Sequence, residues 1–256
     1  MKVIGSIVLF VSAFVAFSVF ACEPPQGGAY KPISVEEGVI AFDFVPIEKE
    51  SGDTSKMQEV GIDVNLYKCS GETRELIGQL PYLAGTGKVR DAFLYDADGG
   101  SEKKLFVIHS VEIRSDTGVK YSGEYYSVNV YKQKNGSYVR DDRLSVYFGD
   151  GGDVLAENYK DLLYTFPYKG EGAILKKLNS GSYKKWRAGS PVSLVINKKT
   201  PIYESPVLTD VTRMYLVAGD TVSQDAVEAG WLSIIYKTSK GKIIRGWIQC
   251  ANADGC

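Results

Sequence analysis

Apolar positions along this chain fall mostly in short runs with a period of two, separated by Gly, Asp, Asn and Pro. Val39 to Val45, Gly61 to Cys69, Ala92 to Tyr95, Lys104 to Ile113, Tyr125 to Lys132 and Leu144 to Phe148 are rich in Val, Ile, Phe and Tyr and predict strands. Ile62, Val64 and Leu66 would share one strand face, as would Tyr126, Val128 and Val130. Lys134-Asn135-Gly136-Ser137 predicts a hairpin, because Asn-Gly tolerates the positive φ angles of a tight turn. Helical spacing is scarce: Glu171 to Leu178 is the best candidate, with Ala173, Ile174, Lys177 and Leu178 turned to a sheet.

Small and polar residues from 181 to 191 predict a linker, with the domain break near residue 185. Beyond it, strands are expected at Val192 to Ile196, Pro201 to Glu204, Arg213 to Val217, Thr221 to Gln224, Trp231 to Tyr236 and Ile243 to Ile248. So many short strands in so few residues bury a core only by curling into a small barrel. The fold class is therefore mainly β: an α+β N-terminal domain built on an antiparallel sheet, residues 33–180, followed by a small β-barrel, residues 192–256.

The first 21 residues carry one early cation, Lys2, and then an apolar run from Val3 to Ala21, which reads as an export signal. Cleavage after Ala21 is expected, with a retained membrane anchor as the alternative. Residues 22–32, rich in Pro and Gly, read as a flexible tether. Val19-Phe20-Ala21-Cys22 resembles a bacterial lipobox, which implies a lipid on Cys22. Either outcome places the protein in the periplasm or cell envelope, with membrane contact only through that anchor or an uncleaved leader.

Thirty bases against 31 acids leave no electrostatic case for nucleic acid. In an exported chain the four cysteines read first as disulfides, Cys250 with Cys256 and Cys22 with Cys69. Their spacings match no zinc pattern and His109 is the one histidine, so neither a metal nor a cofactor is expected.

Thr200-Pro201-Ile202-Tyr203-Glu204-Ser205-Pro206, Tyr215 to Val222 with its Gly219-Asp220 turn, Gly230-Trp231-Leu232-Ser233-Ile234 and Gly246-Trp247-Ile248 together resemble the bacterial SH3-like (SH3b) family. The resemblance covers about a quarter of the chain. It implies an SH3-like barrel that recognises cell-wall peptides or protein partners rather than catalysing a reaction, with Tyr203, Tyr215, Trp231 and Tyr236 as candidate ligand-facing aromatics. The other reading of Trp231 and Trp247 is that they fill the barrel core.

Asp96-Ala97-Asp98-Gly99 before Leu105-Phe106-Val107-Ile108 resembles the turn and strand of FG-GAP/VCBS repeats, some of which hold calcium. The third acid is missing here, so a plain β-turn is expected. Gly149-Asp150-Gly151-Gly152-Asp153 reads as a flexible loop, and His109, in an apolar strand, as structural. A glycosidase needs only two carboxylates, which an acid-rich sequence does not exclude; Asp96, Asp98, Asp141 and Asp142 are noted for that chemistry and not nominated as catalytic. The expected function is non-catalytic binding of a protein partner or peptidoglycan, one version being an immunity protein against a periplasmic toxin. The rival is a cell-wall hydrolase with an SH3-like targeting domain.

Overall fold

The computed structural model describes residues 26–47, 58–69, 73–83, 85–113 and 119–256. The segment expected to be a leader, and Cys22, lie outside them. The described chain is mainly β, built on three antiparallel sheets and three short α-helices.

Strands β1 (Ile33–Val35), β2 (Gly38–Pro46), β3 (Val60–Lys68) and β4 (Thr73–Gln79) form a four-stranded meander. A second sheet holds β5 (Lys88–Tyr95), β6 (Lys104–Glu112), β7 (Tyr121–Lys134), β8 (Ser137–Arg140), β9 (Asp150–Leu155) and β10 (Leu162–Tyr164) in the order β10-β9-β7-β6-β5, with β8 alongside β7. Strand β6 is buried from Lys104 to Val111, and its alternation feeds two cores. Leu105 and Val107 pack with Ile40, Phe42, Ile62, Val64 and Leu66 between the two sheets. Phe106 and Ile108 face the other way, into a larger core with Val128 and Val130.

That larger core is covered by α1 (Asp142–Phe148), α2 (Glu171–Leu178) and α3 (Gly181–Arg187), and it runs on without a break into the C-terminal unit. There β11 (Ser193–Ile196), β12 (Thr200–Tyr203), β13 (Val211–Leu216), β14 (Thr221–Glu228), β15 (Trp231–Lys237), β16 (Ile243–Gln249) and β17 (Ala253–Asp254) form one sheet in the order β13-β12-β16-β15-β14-β11-β17, with a 3-10 turn at Cys250–Asn252. The sheet curls around Leu194, Ile202, Leu232, Ile234 and Ile248.

Four expectations differ from the structure, each for a physical reason. Leu144 to Phe148, expected as a strand, lies in α1. Asp141 caps that helix by accepting the Leu144 N–H at 3.1 Å, and Asp142 complements the helix dipole in the first turn, so end chemistry outweighs the aromatic and β-branched run.

The glycine-rich segment after it is strand β9 rather than a loop. Its glycines let neighbours close in: a Cβ on Gly151 would stand 2.9 Å from Phe166 Cδ2, and one on Gly152 would stand 2.9 Å from Tyr121 Cδ1. The expected 181–191 linker contains α3, whose Ser180 cap accepts the Tyr183 N–H at 3.2 Å and whose Tyr183 is fully buried. The described part of the 22–32 tether is docked as well, since the Ala29 N–H donates to the Phe42 carbonyl at 2.7 Å and Tyr30 packs edge-on against Phe42.

The helix expected over Glu171 to Leu178 is α2, and it buries Ile174, Lys177 and Leu178. The Asn135-Gly136 turn has φ angles of 54° and 73°, as a two-residue hairpin between β7 and β8 requires.

Candidate functional site

The four aromatics nominated from the sequence occupy two kinds of place. Trp231, at the start of β15, is buried between Tyr164, stacked at 5.4 Å between centroids, and Tyr203, edge-on at 5.0 Å. Trp231 and Tyr203 therefore belong to the shared core, because removing such large apolar rings from water stabilises the junction. Tyr236 is half-buried, and its hydroxyl donates to Asp220 Oδ1 at 2.8 Å. That hydrogen bond, ahead of burial, raises the phenol pKa. The other Asp220 oxygen accepts the Val217 N–H at 2.8 Å, so Tyr236 braces the turn before β14.

Tyr215 is different. It is 57% exposed on β13, with Lys199 Nζ 4.4 Å from its ring centroid. Strand β13 stands at one end of the sheet order, with β12 its one partner among the described residues, and Val211, Met214 and, just past the strand, Val217 are exposed with Tyr215. The sequence reading missed these aliphatic neighbours. Their signal is four exposed apolar residues close together, Val211, Met214, Tyr215 and Val217, where a half-buried strand would carry polar ones.

The candidate chemical groups are each engaged internally. Asp96 Oδ1 accepts the backbone N–H groups of Asp98, Gly99 and Gly100 at 2.7–3.1 Å, which makes an Asx turn. Lys104 Nζ bridges Asp98 Oδ2 at 2.8 Å and Asp141 Oδ2 at 2.5 Å. Burial opposes charge on both buried partners, but the mutual hydrogen bonds win: the Lys104 pKa is raised and that of Asp141 lowered, the latter helped by the Leu144 N–H. Asp142 pairs with Arg140 at 3.3 Å. His109 is buried with Nε2 2.9 Å from the Thr86 carbonyl, and burial lowers its pKa, so the imidazole is neutral at neutral pH. Among the described residues no three of His, Cys, Asp and Glu cluster as metal ligands. No described helix is long and apolar enough to cross a membrane.

Cys250 and Cys256 form a disulfide with Cα atoms 5.3 Å apart, as expected. Cys69 is also disulfide-bonded; its expected partner, Cys22, lies outside the described residues. The Cys250–Cys256 bridge walls a cleft of about 760 Å³ between the two units, with Leu162, Leu163, Lys176 and Lys177 opposite. Lys177 is buried there, its Nζ donating to Ser182 Oγ at 3.2 Å and to the Cys256 main-chain oxygen at 2.6 Å, and burial pushes its pKa down to about 8.

Around this cleft the two units lock together. Tyr164 donates to the Ala229 carbonyl, the Ala229 N–H donates to the Tyr147 carbonyl at 3.2 Å, and Gln249 Nε2 donates to the Leu163 carbonyl at 2.9 Å. The β13 edge lies on the C-terminal sheet and presents its apolar side chains to solvent. No family model, curated protein or solved structure matches the chain.

Proposed function

We propose that this is an exported envelope protein that binds without catalysing a reaction, and that its C-terminal unit is an SH3-like module engaging an extended segment of a protein partner or a cell-wall peptide. The observation that carries the reading is the β13 edge, where Val211, Met214 and Tyr215, with Val217 just beyond the strand, are exposed and no second strand pairs among the described residues. A partner segment gains main-chain hydrogen bonds along such an edge and buries apolar surface over it.

The strand connectivity supports the SH3-like assignment. The meander β14-β15-β16 follows a long β12–β13 hairpin, and a 3-10 turn leads to β17, which returns to pair with β11. Engagement of Asp98, Asp141 and Asp142 by basic side chains, and of Asp96 by backbone amides, argues against wall hydrolysis by a pair of open carboxylates. The docked C-terminal unit then presents its edge at a fixed angle to the N-terminal body, which favours one bound geometry.

The test is co-sedimentation of the purified protein with insoluble peptidoglycan, together with photo-crosslinking in intact envelopes from position 213, exposed on the same strand. A crosslinked protein or a pelleted fraction, lost in Tyr215→Ala and in Val211→Ser, is the expected result. Binding that survives both changes overturns the β13 assignment, and release of soluble wall fragments overturns the non-catalytic reading.

A further inference from the structure

Strand β7 changes partners along its length. It pairs with β8 from Tyr131 to Lys134 and with β9 from Tyr121 to Ser127. Between these stretches both neighbours part and α1 fills the gap, with the Gly149 carbonyl accepting the Val128 N–H at 3.0 Å and Ser145 Oγ accepting the Val130 N–H at 3.1 Å. On the other face of β7, beyond the area covered by the first sheet, a groove of about 410 Å³ opens over Tyr121, Tyr125, Ser127, Asn129, Arg140 and Asp150. None of these residues takes part in the β13 reading.

The chemistry of the groove narrows its ligand. Its cation and its carboxylate are both present and both engaged: Arg140 donates to Asn129 Oδ1 at 3.0 Å and pairs with Asp142, while Asp150 accepts the Tyr125 hydroxyl. With no net charge in the lining, neither a phosphate nor a metal ion is the preferred guest. The β7 main chain at the gap is already hydrogen-bonded, so no strand edge is offered to a peptide there.

What remains is a set of planar polar groups, a carboxylate, an amide and a guanidinium, set beside two aromatic rings. Asn129 is 2% exposed and Ser127 9%, so these polar groups form a fixed floor. Tyr121 and Tyr125 stand edge to face at 5.5 Å, are half-buried and line the groove. Burial and the neighbouring Asp150 raise the Tyr125 pKa, which keeps its hydroxyl protonated.

Carboxylates and amides bind adjacent hydroxyl groups in pairs, and the C–H face of a sugar ring packs on an aromatic ring. We propose that this groove binds a saccharide, a pyranose ring set against Tyr121 and Tyr125 with its hydroxyls held by Asp150, Asn129 and Arg140. Two sources share that chemistry: glycans of N-acetylated amino sugars, as in cell walls, and neutral hexose polymers.

The full chain is tested by saturation-transfer NMR with chitotetraose and with maltotetraose at millimolar concentration. Transfer to ring C–H protons of either sugar is expected. Chitotetraose alone points to the amino-sugar source and maltotetraose alone to the neutral one. Tyr125→Phe and Asp150→Asn, each checked for folding by circular dichroism, are expected to weaken binding about threefold to tenfold. In the unmodified protein the Asn129 side-chain amide resonances shift on titration, a readout that needs no variant. Tyr215→Ala leaves sugar binding unchanged, so failure of the β13 reading does not affect this result. No transfer to either sugar overturns the proposal, as does binding that Tyr121→Ala and Asp150→Asn leave intact.

Discussion

The seam between the two units makes a quantitative prediction through two glycines that differ in only one respect. Gly230, in the β14–β15 turn, has φ +83°, and a Cβ there would stand 2.7 Å from Pro167 Cδ and Cγ and 3.0 Å from the Tyr164 hydroxyl. Gly241, in the β15–β16 turn, has φ +82° and nothing within 4 Å of the same position. Gly241→Ala therefore costs only the left-handed backbone penalty, about 1–2 kcal/mol. Gly230→Ala costs that penalty plus overpacking against a proline ring that has little freedom to yield, a further ~1–3 kcal/mol.

For a protein of this size each kcal/mol is worth roughly 2–4 °C in Tm. Gly230→Ala is thus expected to melt about 2–12 °C below Gly241→Ala. Thermal and urea unfolding followed by far-ultraviolet circular dichroism measures the difference. Tryptophan fluorescence reports whether the units unfold together, since Trp186 sits in α3, Trp231 in the seam and Trp247 in β16. Equal losses in the two variants, or a C-terminal unit that unfolds in its own earlier transition in the unmodified protein, would refute a seam packed by Pro167, Tyr164 and Trp231.

Other perturbations bear on separate parts of the structure. Lys177 has its pKa depressed from 10.5 to about 8, so between those values the unfolded chain binds more protons than the folded one. Its contribution to stability is present above the unfolded pKa and is lost as pH falls through about 8; urea midpoints are expected to rise from about pH 8 to 9.5, and less steeply in Lys177→Met. Lys104→Met, which leaves the buried Asp141 carboxylate without its cation, is expected to cost about 3–5 kcal/mol by urea denaturation; Asp141→Asn, which leaves Lys104 paired with Asp98, is expected to cost less, and the double variant less than the sum of the two. Replacing Cys250 and Cys256 together by Ser opens a bridge with a sequence separation of 6 and is expected to cost about 2 kcal/mol by the same measurement. Tyr215→Ala, at an exposed position, is expected to change stability by less than about 0.5 kcal/mol while abolishing the crosslink at β13.

Legibility in the sequence followed the range of the forces involved. The six C-terminal runs coincide with β11 to β16 to within a few residues, because alternation and turn residues act over only a few positions. Helix α2 and the Asn135-Gly136 hairpin were readable for the same reason. Strand β9 was not, since Gly151 and Gly152 form a strand only where Phe166 and Tyr121 arrive from elsewhere in the chain to close over them. Helix α1 was misread because its apolar run suits a strand, although its signal stood in Asp141 and Asp142 just ahead of it. Of the site residues, Tyr215 was visible as an aromatic, but its exposure at a sheet edge was not.

The sequence by itself determined a mainly β chain, the strands of its C-terminal unit, the Cys250–Cys256 bridge and a near-neutral charge. Each depends on residues near one another in the chain or on composition alone. Only the tertiary structure decided that Trp231 and Tyr203 are core, that Lys104 holds Asp98 and Asp141, and that α3 and Tyr164 weld the two units into one body. Those outcomes depend on which residues distant in sequence meet, and burial and pairing energies are set by that meeting.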